Sequence, residues 1–106
     1  MLVRAKLDVH DHVVDEFDYD HISPGGDYFV VGMDDEYFRV IDDVGDPILY
    51  PRALFDVIDP SIPHDWVQRE ADGQIYVNPR ECSARGFYED YFDGDPSAVA
   101  TFQDVL

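Results

Sequence analysis

The chain has little positive charge. Of its 106 residues, 7 are Lys or Arg and 24 are Asp or Glu, which gives a formal net charge of −17. No two of the basic residues are adjacent, whereas nucleic-acid binding depends on clustered Lys and Arg that displace counterions from phosphates. An anionic membrane surface would repel the chain for the same reason. The composition therefore predicts a basic protein as partner, and neither a nucleic acid nor a membrane.

Cysteine and long apolar runs are scarce as well. Cys82 is the single cysteine, which excludes an internal disulfide and a cysteine-based zinc site. Uninterrupted apolar runs span only a few residues, far short of the roughly 20 that a transmembrane helix needs. The opening MLVRAKLDV has two basic residues but no apolar segment behind them, unlike a secretory signal peptide. A cytoplasmic, soluble protein is expected.

The motifs of common catalytic sites are also missing. None of the four serines stands in a known nucleophile motif, and ECSAR around Cys82 is not a protease signature. The glycines of SPGGD lack the spacing and the lysine of a phosphate-binding loop. The acid-rich DDVGDPILYPRA places prolines and apolar residues where a calcium loop needs ligands. We therefore predict no enzymatic activity, no catalytic residue and no cofactor.

Histidines near the start of the chain offer one metal hypothesis. His10 and His12 would share one face of a strand and lie close in sequence to Asp20 and His21, a combination that suits a divalent cation. The alternative is that these histidines are solvated on the outer face, beside acids. The second interpretation is favoured and no metal ligand is predicted, although binding by His10, His12 or His21 stays open.

Hydrophobic periodicity predicts mostly strands. Residues 2–9 alternate, with Val3, Ala5, Leu7 and Val9 on one face. Asp72-Gly73 is a hairpin signal. The segment from Arg52 is ambiguous: residues 52–55 could form a helical turn after Pro51, with residues 55–59 continuing as a strand. The remaining predicted elements are a meander of strands (28–33, 37–42 and 47–51), hairpin strands (66–70 and 74–78) and two short helices, the second capped by Asp95 with Pro96 at its first position.

These elements predict a single domain over residues 1–106. Its class is α+β, mainly antiparallel β, either a small curled sheet or an SH3-like barrel, with short C-terminal helices. The order of three strands, then YPRALF, then a further strand is similar to SH3-like barrels, in which a short helical turn precedes the last strand. A fold of this kind does not fix a function.

Three stretches carry a resemblance to a family. Residues 37–51 are similar to a YRVIDDxGEPxLYP pattern, residues 54–66 to LFxVIDPxIPxDW, and residues 87–94 to an FFEDYFDG-type segment. The chain thereby resembles a small bacterial immunity-protein-like family associated with polymorphic toxins. The resemblance implies neutralisation of a cognate toxin domain by direct binding. It supplies no catalytic residues.

The charge agrees with this implication, because immunity proteins against nuclease toxins commonly cover a basic cleft and acidic surface speeds such association. Two alternatives remain open: a small-barrel binding or regulatory domain for a basic peptide or protein, and a nucleic-acid mimic. The oligomeric state is not predicted. The predicted partner-binding residues are exposed acids near turns and in the C-terminal segment, with one tyrosine: Asp34, Asp35, Glu36, Asp42, Asp43, Tyr88, Glu89, Asp90 and Asp93.

The segment GFYEDYFDGD tests whether aromatics and acids share a surface. On a helical wheel its aromatics fall within 140° and its acids occupy the opposite side. Phe87 and Phe92 are therefore predicted to anchor the helix in a core, while Glu89, Asp90 and Asp93 face solvent.

Overall fold

The computed structural model describes residues 1–11 and 21–106, and the chain divides into two compact units, Met1–Ile62 and Pro63–Leu106. Each unit has its own set of elements and is described separately. The expectation of a single domain over 1–106 stays a prediction.

Five antiparallel strands form the sheet of the first unit. The strands are β1 (Leu2–Ala5), β2 (Asp27–Met33), β3 (Tyr37–Ile41), β4 (Pro47–Pro51) and β5 (Phe55–Asp59). Their order in the sheet is β4-β3-β2-β1-β5, so β4 and β5 are the edges and the sheet is not closed in the described part of the chain. The predicted α+β class, with a mainly antiparallel sheet, is confirmed in its open form.

The segment between β4 and β5 resolves the ambiguity at residues 52–55. Arg52–Leu54 is a 3-10 turn, and the Phe55 N–H donates to the Arg52 carbonyl where β5 begins. Pro51 precedes this turn with φ −54, a value that the proline ring imposes. Of the open possibilities, the structure therefore has the helical turn, as a 3-10 turn, and β5 follows it.

The first strand is shorter than its alternating sequence predicts. It ends at Ala5, and Leu7, expected in the core, is 84% exposed. The Lys6 N–H still donates to the Leu54 carbonyl, but the Val9 N–H then bonds back to the Lys6 carbonyl and starts a turn. The alternation of apolar and polar residues continues in the sequence beyond Ala5. The strand ends there because the chain turns after Lys6 and no longer pairs with a neighbouring strand.

An aromatic cluster fills the core of the first unit. The Phe55 ring lies 6.2 to 6.4 Å from the rings of Tyr28, Phe38 and Tyr50, all in edge-on geometry. Such pairs are each worth about 0.5–1.5 kcal/mol beyond the area they bury. Phe55 is therefore the residue through which three different strands contact the last one.

The second unit is a hairpin followed by two helices. Asp72 and Gly73 have φ of 52° and 79°, the positive values that a two-residue hairpin turn requires. Asp95 accepts a bond from the Ser97 N–H at 3.3 Å, as predicted for a cap, and Pro96 opens the helix. The elements are β6 (Trp66–Ala71), β7 (Gln74–Pro79), a 3-10 turn (Arg80–Cys82), α1 (Phe87–Phe92) and α2 (Pro96–Val105).

Helix α1 packs its aromatic side against α2, but one of the two residues predicted to anchor it is exposed. Tyr88 and Tyr91 lie 6.3 and 5.0 Å from the Phe102 ring, and Phe87 is buried. Phe92 is 49% exposed, so the prediction that it anchors the helix is wrong. The contact with α2 is centred on the tyrosines, and Phe92 lies at the edge of the aromatic arc.

Candidate functional site

Two of the acids predicted to be exposed are buried. Asp34 is 8% exposed, and its Oδ1 accepts bonds of 2.8 Å from the N–H groups of Glu36 and Tyr37. This carboxylate holds the tight turn between β2 and β3. The prediction that Asp34 presents its charge to a partner rested on exposure, and that premise is wrong.

Asp42 has the same role in the turn between β3 and β4. It is 6% exposed, its Oδ1 accepts from the N–H groups of Val44 and Asp46, and its Oδ2 accepts from the Tyr50 hydroxyl at 3.1 Å. The predicted exposure of Asp42 is also wrong, and the reason is the same as for Asp34. A turn leaves unpaired N–H groups, and a short carboxylate folded back onto them satisfies the donors.

Asp43 is exposed, but its carboxylate is part of a network. Its Oδ1 accepts from the Tyr28 hydroxyl and its Oδ2 from the Ser23 hydroxyl, both at 2.7 Å. The Tyr28 hydroxyl in turn accepts from the Ser23 N–H at 2.6 Å, and burial raises the pKa of Tyr28. The network fastens the loop before β2 to the turn between β3 and β4.

The remaining predicted residues fall into two separate groups. Asp35 and Glu36 are exposed in the first unit, at the turn between β2 and β3. Glu89, Asp90 and Asp93 are exposed in the second unit, on α1 and at its end, while Tyr88 is half-buried. The structure therefore does not unite the predicted set, and its role in partner binding stays a prediction.

A surface that the sequence did not single out lies across three strands of the first unit. Phe29, on β2, is 70% exposed, although β2 is an inner strand of the sheet. Its cross-strand neighbour on β1 is Leu2, and the partner of Leu2 on β5 is Asp59. A second row joins Asp27, Arg4 and Asp56. We call this surface the β1–β2–β5 face, made of Leu2, Arg4, Asp27, Phe29, Asp56 and Asp59.

An irregularity in β5 places both of its acids on this face. Val3 pairs with Val57 and Leu2 with Asp59, so Ile58 is an extra residue in the ladder. In a regular strand Asp56 and Asp59 would point to opposite faces, because they are three positions apart and side chains alternate. With the extra residue both carboxylates stand beside outward-facing residues of β1.

Hydrogen bonds favour the charged form of two carboxylates of the face, those of Asp27 and Asp59. The Arg4 guanidinium donates to both carboxylate oxygens of Asp27, at 2.7 and 3.2 Å, and holds the pKa of Asp27 below its usual value. The Ser61 N–H donates to Asp59 Oδ1 at 2.9 Å and lowers the pKa of Asp59 as well. Arg4 therefore offsets one of the three acids, and the face has a net negative charge at neutral pH.

The rest of the first unit adds to this charge. Residues 1–62 contain 15 Asp and Glu against 4 Lys and Arg, a net of −11. Two of the cations are engaged locally, because Arg39 donates to the Pro47 carbonyl at 2.8 Å and the Arg52 guanidinium lies 4.7 Å from the centre of the Phe38 ring. Exposed acids therefore greatly outnumber nearby bases.

A signal for the face exists in the sequence, but it is incomplete. Phe29 alternates with Tyr28 and Val30, both buried, which would place Phe29 on the outside. The continuous apolar run around it is instead typical of a strand buried on both faces. The sequence carries no signal for the extra residue in β5, so it does not predict that Asp56 and Asp59 share a face.

The histidine hypothesis receives no support from the described residues. Residues 1–11 and 21–106 contain no group of three or more potential metal ligands. His10 lies in a 3-10 turn rather than in a strand, and its Nε2 contacts the Ile22 carbonyl oxygen at 2.8 Å. His12 and Asp20 lie outside the described residues.

Within the described ranges no helix is both long and apolar enough to cross a membrane. Comparison of the chain with protein-family models, with curated proteins and with solved structures finds no match.

Proposed function

We propose that this protein is a binding protein for a basic protein partner, and that it acts as a cytoplasmic, bacterial immunity-type protein that neutralises a toxin domain. The observation that supports this best is the β1–β2–β5 face, where an exposed aromatic ring stands among carboxylates. The toxin part of the proposal rests on the family resemblance of residues 37–51, 54–66 and 87–94.

Charge supplies the long-range part of the interaction. A net of −17 attracts a basic partner and can raise association rates well above those of neutral pairs, in a way that salt suppresses. A substrate-binding cleft of a nuclease is a basic surface of this kind. The acidic protein would cover the cleft and exclude its substrate.

Phe29 supplies the short-range part. Exposed aromatic residues on rigid elements are the side chains that most often dominate binding energies, with charged residues at the rim around them. Phe29 is fixed on an inner strand, Leu2 extends the apolar centre, and Asp59 forms part of the rim. The first unit therefore offers a better centre for an interface than turn acids alone.

Helix α1 is the second candidate location. Phe92 is 49% exposed and is close in sequence to the exposed Glu89 and Asp93, so α1 also combines a ring with acids. Its exposure is lower than that of Phe29, and α1 has only six residues. We therefore place the main contact on the β1–β2–β5 face and use Phe92 as the matched comparison.

Co-expression with the product of the neighbouring gene tests the function. We expect the two proteins to co-purify, the association rate to fall steeply with added salt, and growth to be protected if the neighbour is toxic. Absence of both co-purification and protection for every adjacent toxin-like gene would contradict the immunity proposal.

Two single substitutions then test the location. Phe29→Ala should weaken binding at least about tenfold, the size expected for an interface hot spot, with little change in stability because the ring is exposed. Phe92→Ala should leave binding within about twofold. The reverse ranking would move the interface to α1, and charge reversal at Asp35 and Glu36 tests the predicted turn acids in the same assay.

A further inference from the structure

We infer that the open edge of β5 binds an extended segment of the basic partner, which adds a strand to the sheet beside Val57. This inference rests on the proposed function and specifies the form of the ligand. The segment would alternate cationic and apolar residues.

The hydrogen-bonding pattern of β5 identifies the groups at the edge. The Lys6 N–H donates to the Leu54 carbonyl, so Lys6 directs its N–H toward the β5 side, and alternation makes Arg4 and Asp56 the next bonded pair. Val57 therefore directs both its N–H and its carbonyl away from β1. In the described part of the chain β5 is a terminal strand of the sheet, and such an edge is a template for another strand.

The opposite edge of the same sheet is blocked. The Asp42 N–H donates to the Asp46 carbonyl, so alternation directs Pro47, Leu49 and Pro51 outward from β4. Two of these three residues lack an N–H, and the Pro47 carbonyl already accepts from Arg39. Proline at an edge is a usual protection against unwanted pairing, and β5 has none between Phe55 and Asp59.

The side chains of β5 specify the pattern of the ligand. Val57 is 48% exposed and shares a face with the buried Val3, so the residue paired with it should be apolar. Asp56 points to the outer face and is exposed, so the neighbouring residues of the ligand should be lysine or arginine. Opposite charges across a strand pair are favourable and like charges are not.

Charge also decides between a basic segment and a second copy of this chain. A second β5 would bring another Asp56 and another Asp59 to the same outer face, and each whole chain has a net charge of −17. Repulsion between the acids of the two strands and repulsion between the two whole chains both oppose self-pairing. The edge therefore suits a basic strand.

The probe for this edge is a capped eight-residue peptide of alternating lysine and valine, titrated into 15N-labelled protein. We expect the Val57 amide to show one of the largest shifts and slower exchange with solvent. The same peptide with N-methylated valines, which cannot donate to Val57, should bind at least about tenfold more weakly, because the paired backbone bonds are lost. A control peptide of the same length, with glutamate in place of each lysine, should not bind.

Two proline variants form the matched control in the protein. Val57→Pro removes the outward N–H of the open edge without removing a bond to β1, and should weaken binding of the lysine–valine peptide at least about tenfold. Leu49→Pro makes the same change on the blocked edge, at a residue 42% exposed, and should leave binding within about twofold. The amide spectrum of each variant checks its fold.

The N-methylated peptide tests the edge even if a proline variant fails to fold. Equal binding of the methylated and unmethylated peptides, or no binding of the lysine–valine peptide, would overturn this inference. If a whole basic protein still binds and depends on Phe29, the proposed function stands without the edge. If no basic partner binds, the proposed function fails independently.

Discussion

At the scale of single residues, the buried carboxylate of Asp42 makes a strong prediction. Asp42→Ala leaves the N–H groups of Val44 and Asp46 and the Tyr50 hydroxyl without this acceptor. We expect the free energy of unfolding to fall by about 1–3 kcal/mol, the usual cost of buried polar groups that lose their partner. Urea unfolding followed by circular dichroism measures the change.

Asp35→Ala is the control for this prediction. Asp35 is exposed and lies in the neighbouring acidic turn, so its removal should change stability by less than about 0.5 kcal/mol. Equal effects of the two substitutions would show that Asp42 does not hold its turn.

Tyr50 makes stability depend on alkaline pH. Burial, and then the charge of Asp42, raise the pKa of Tyr50 above its ordinary value of 10.0. Since the protonated form is favoured in the folded state, this stabilisation is complete below pH 10 and is lost as the pH rises toward the folded-state pKa. The urea midpoint should therefore decline from about pH 10 upward.

Tyr50→Phe separates this effect from the hydrogen bond. The variant should be less stable at pH 8, by about 0.5–1.5 kcal/mol for the lost bond to Asp42, but should decline less steeply above pH 10. A variant with the same alkaline slope as the unmodified protein would exclude Tyr50 as the cause. Tyr28, whose pKa is also raised by burial, should account for part of the remaining slope.

At the scale of elements, the hairpin turn of β6 and β7 depends on backbone conformation alone. Gly73 has a φ of 79°, and a Cβ built there would meet nothing within 4 Å. Gly73→Ala should therefore cost about 1–2 kcal/mol, the penalty for a left-handed alanine, without any steric clash. Thermal unfolding compares this variant with Gly73→Asn.

Asparagine is the informative alternative because it tolerates the left-handed region. Gly73→Asn should recover most of the stability lost in Gly73→Ala. Equal losses in both variants would mean that the turn changes its geometry rather than storing strain at one residue.

At the scale of the whole molecule, self-repulsion should govern the response to salt. Raising the NaCl concentration from 0.1 to 1 M shortens the Debye length from about 10 to about 3 Å, so repulsion among the surplus acids weakens. We expect the urea midpoint to rise with salt. A protein with balanced charge would respond much less.

A double charge reversal tests this explanation. Asp35→Lys with Glu36→Lys changes each charge by two and takes the net from −17 to −13. Both side chains are exposed, so the salt dependence should become shallower while the fold is kept. An unchanged or steeper dependence would point to specific ion binding instead.

Local signals in the sequence predicted the elements well, since turns and caps are decided by a few adjacent residues. Asp72-Gly73, Pro96 and the prolines around β4 each fix the backbone by their own chemistry. The burial of Asp34 and Asp42 was missed because a run of acids looks the same whether it faces water or folds back onto a turn. The exposure of Phe92 was missed because a helical wheel gives an arc but not the position of the neighbouring helix.

The candidate surface was harder to predict, because it depends on pairing between distant strands. Leu2, Phe29 and Asp59 come together only through the register of β1 with β2 and β5. No pattern within a single segment contains that register.

The extra residue in β5 also has a consequence for how such a protein can change over generations. Loss of the single codon for Ile58 would place the two acids two positions apart in a regular strand, so the second acid would stay opposite Leu2 and on the same face as Asp56. A one-residue deletion within a regular strand such as β3 would instead turn every residue beyond it to the other face. A strand with an extra residue can therefore vary in length by one while the charge pattern of its outer face is kept.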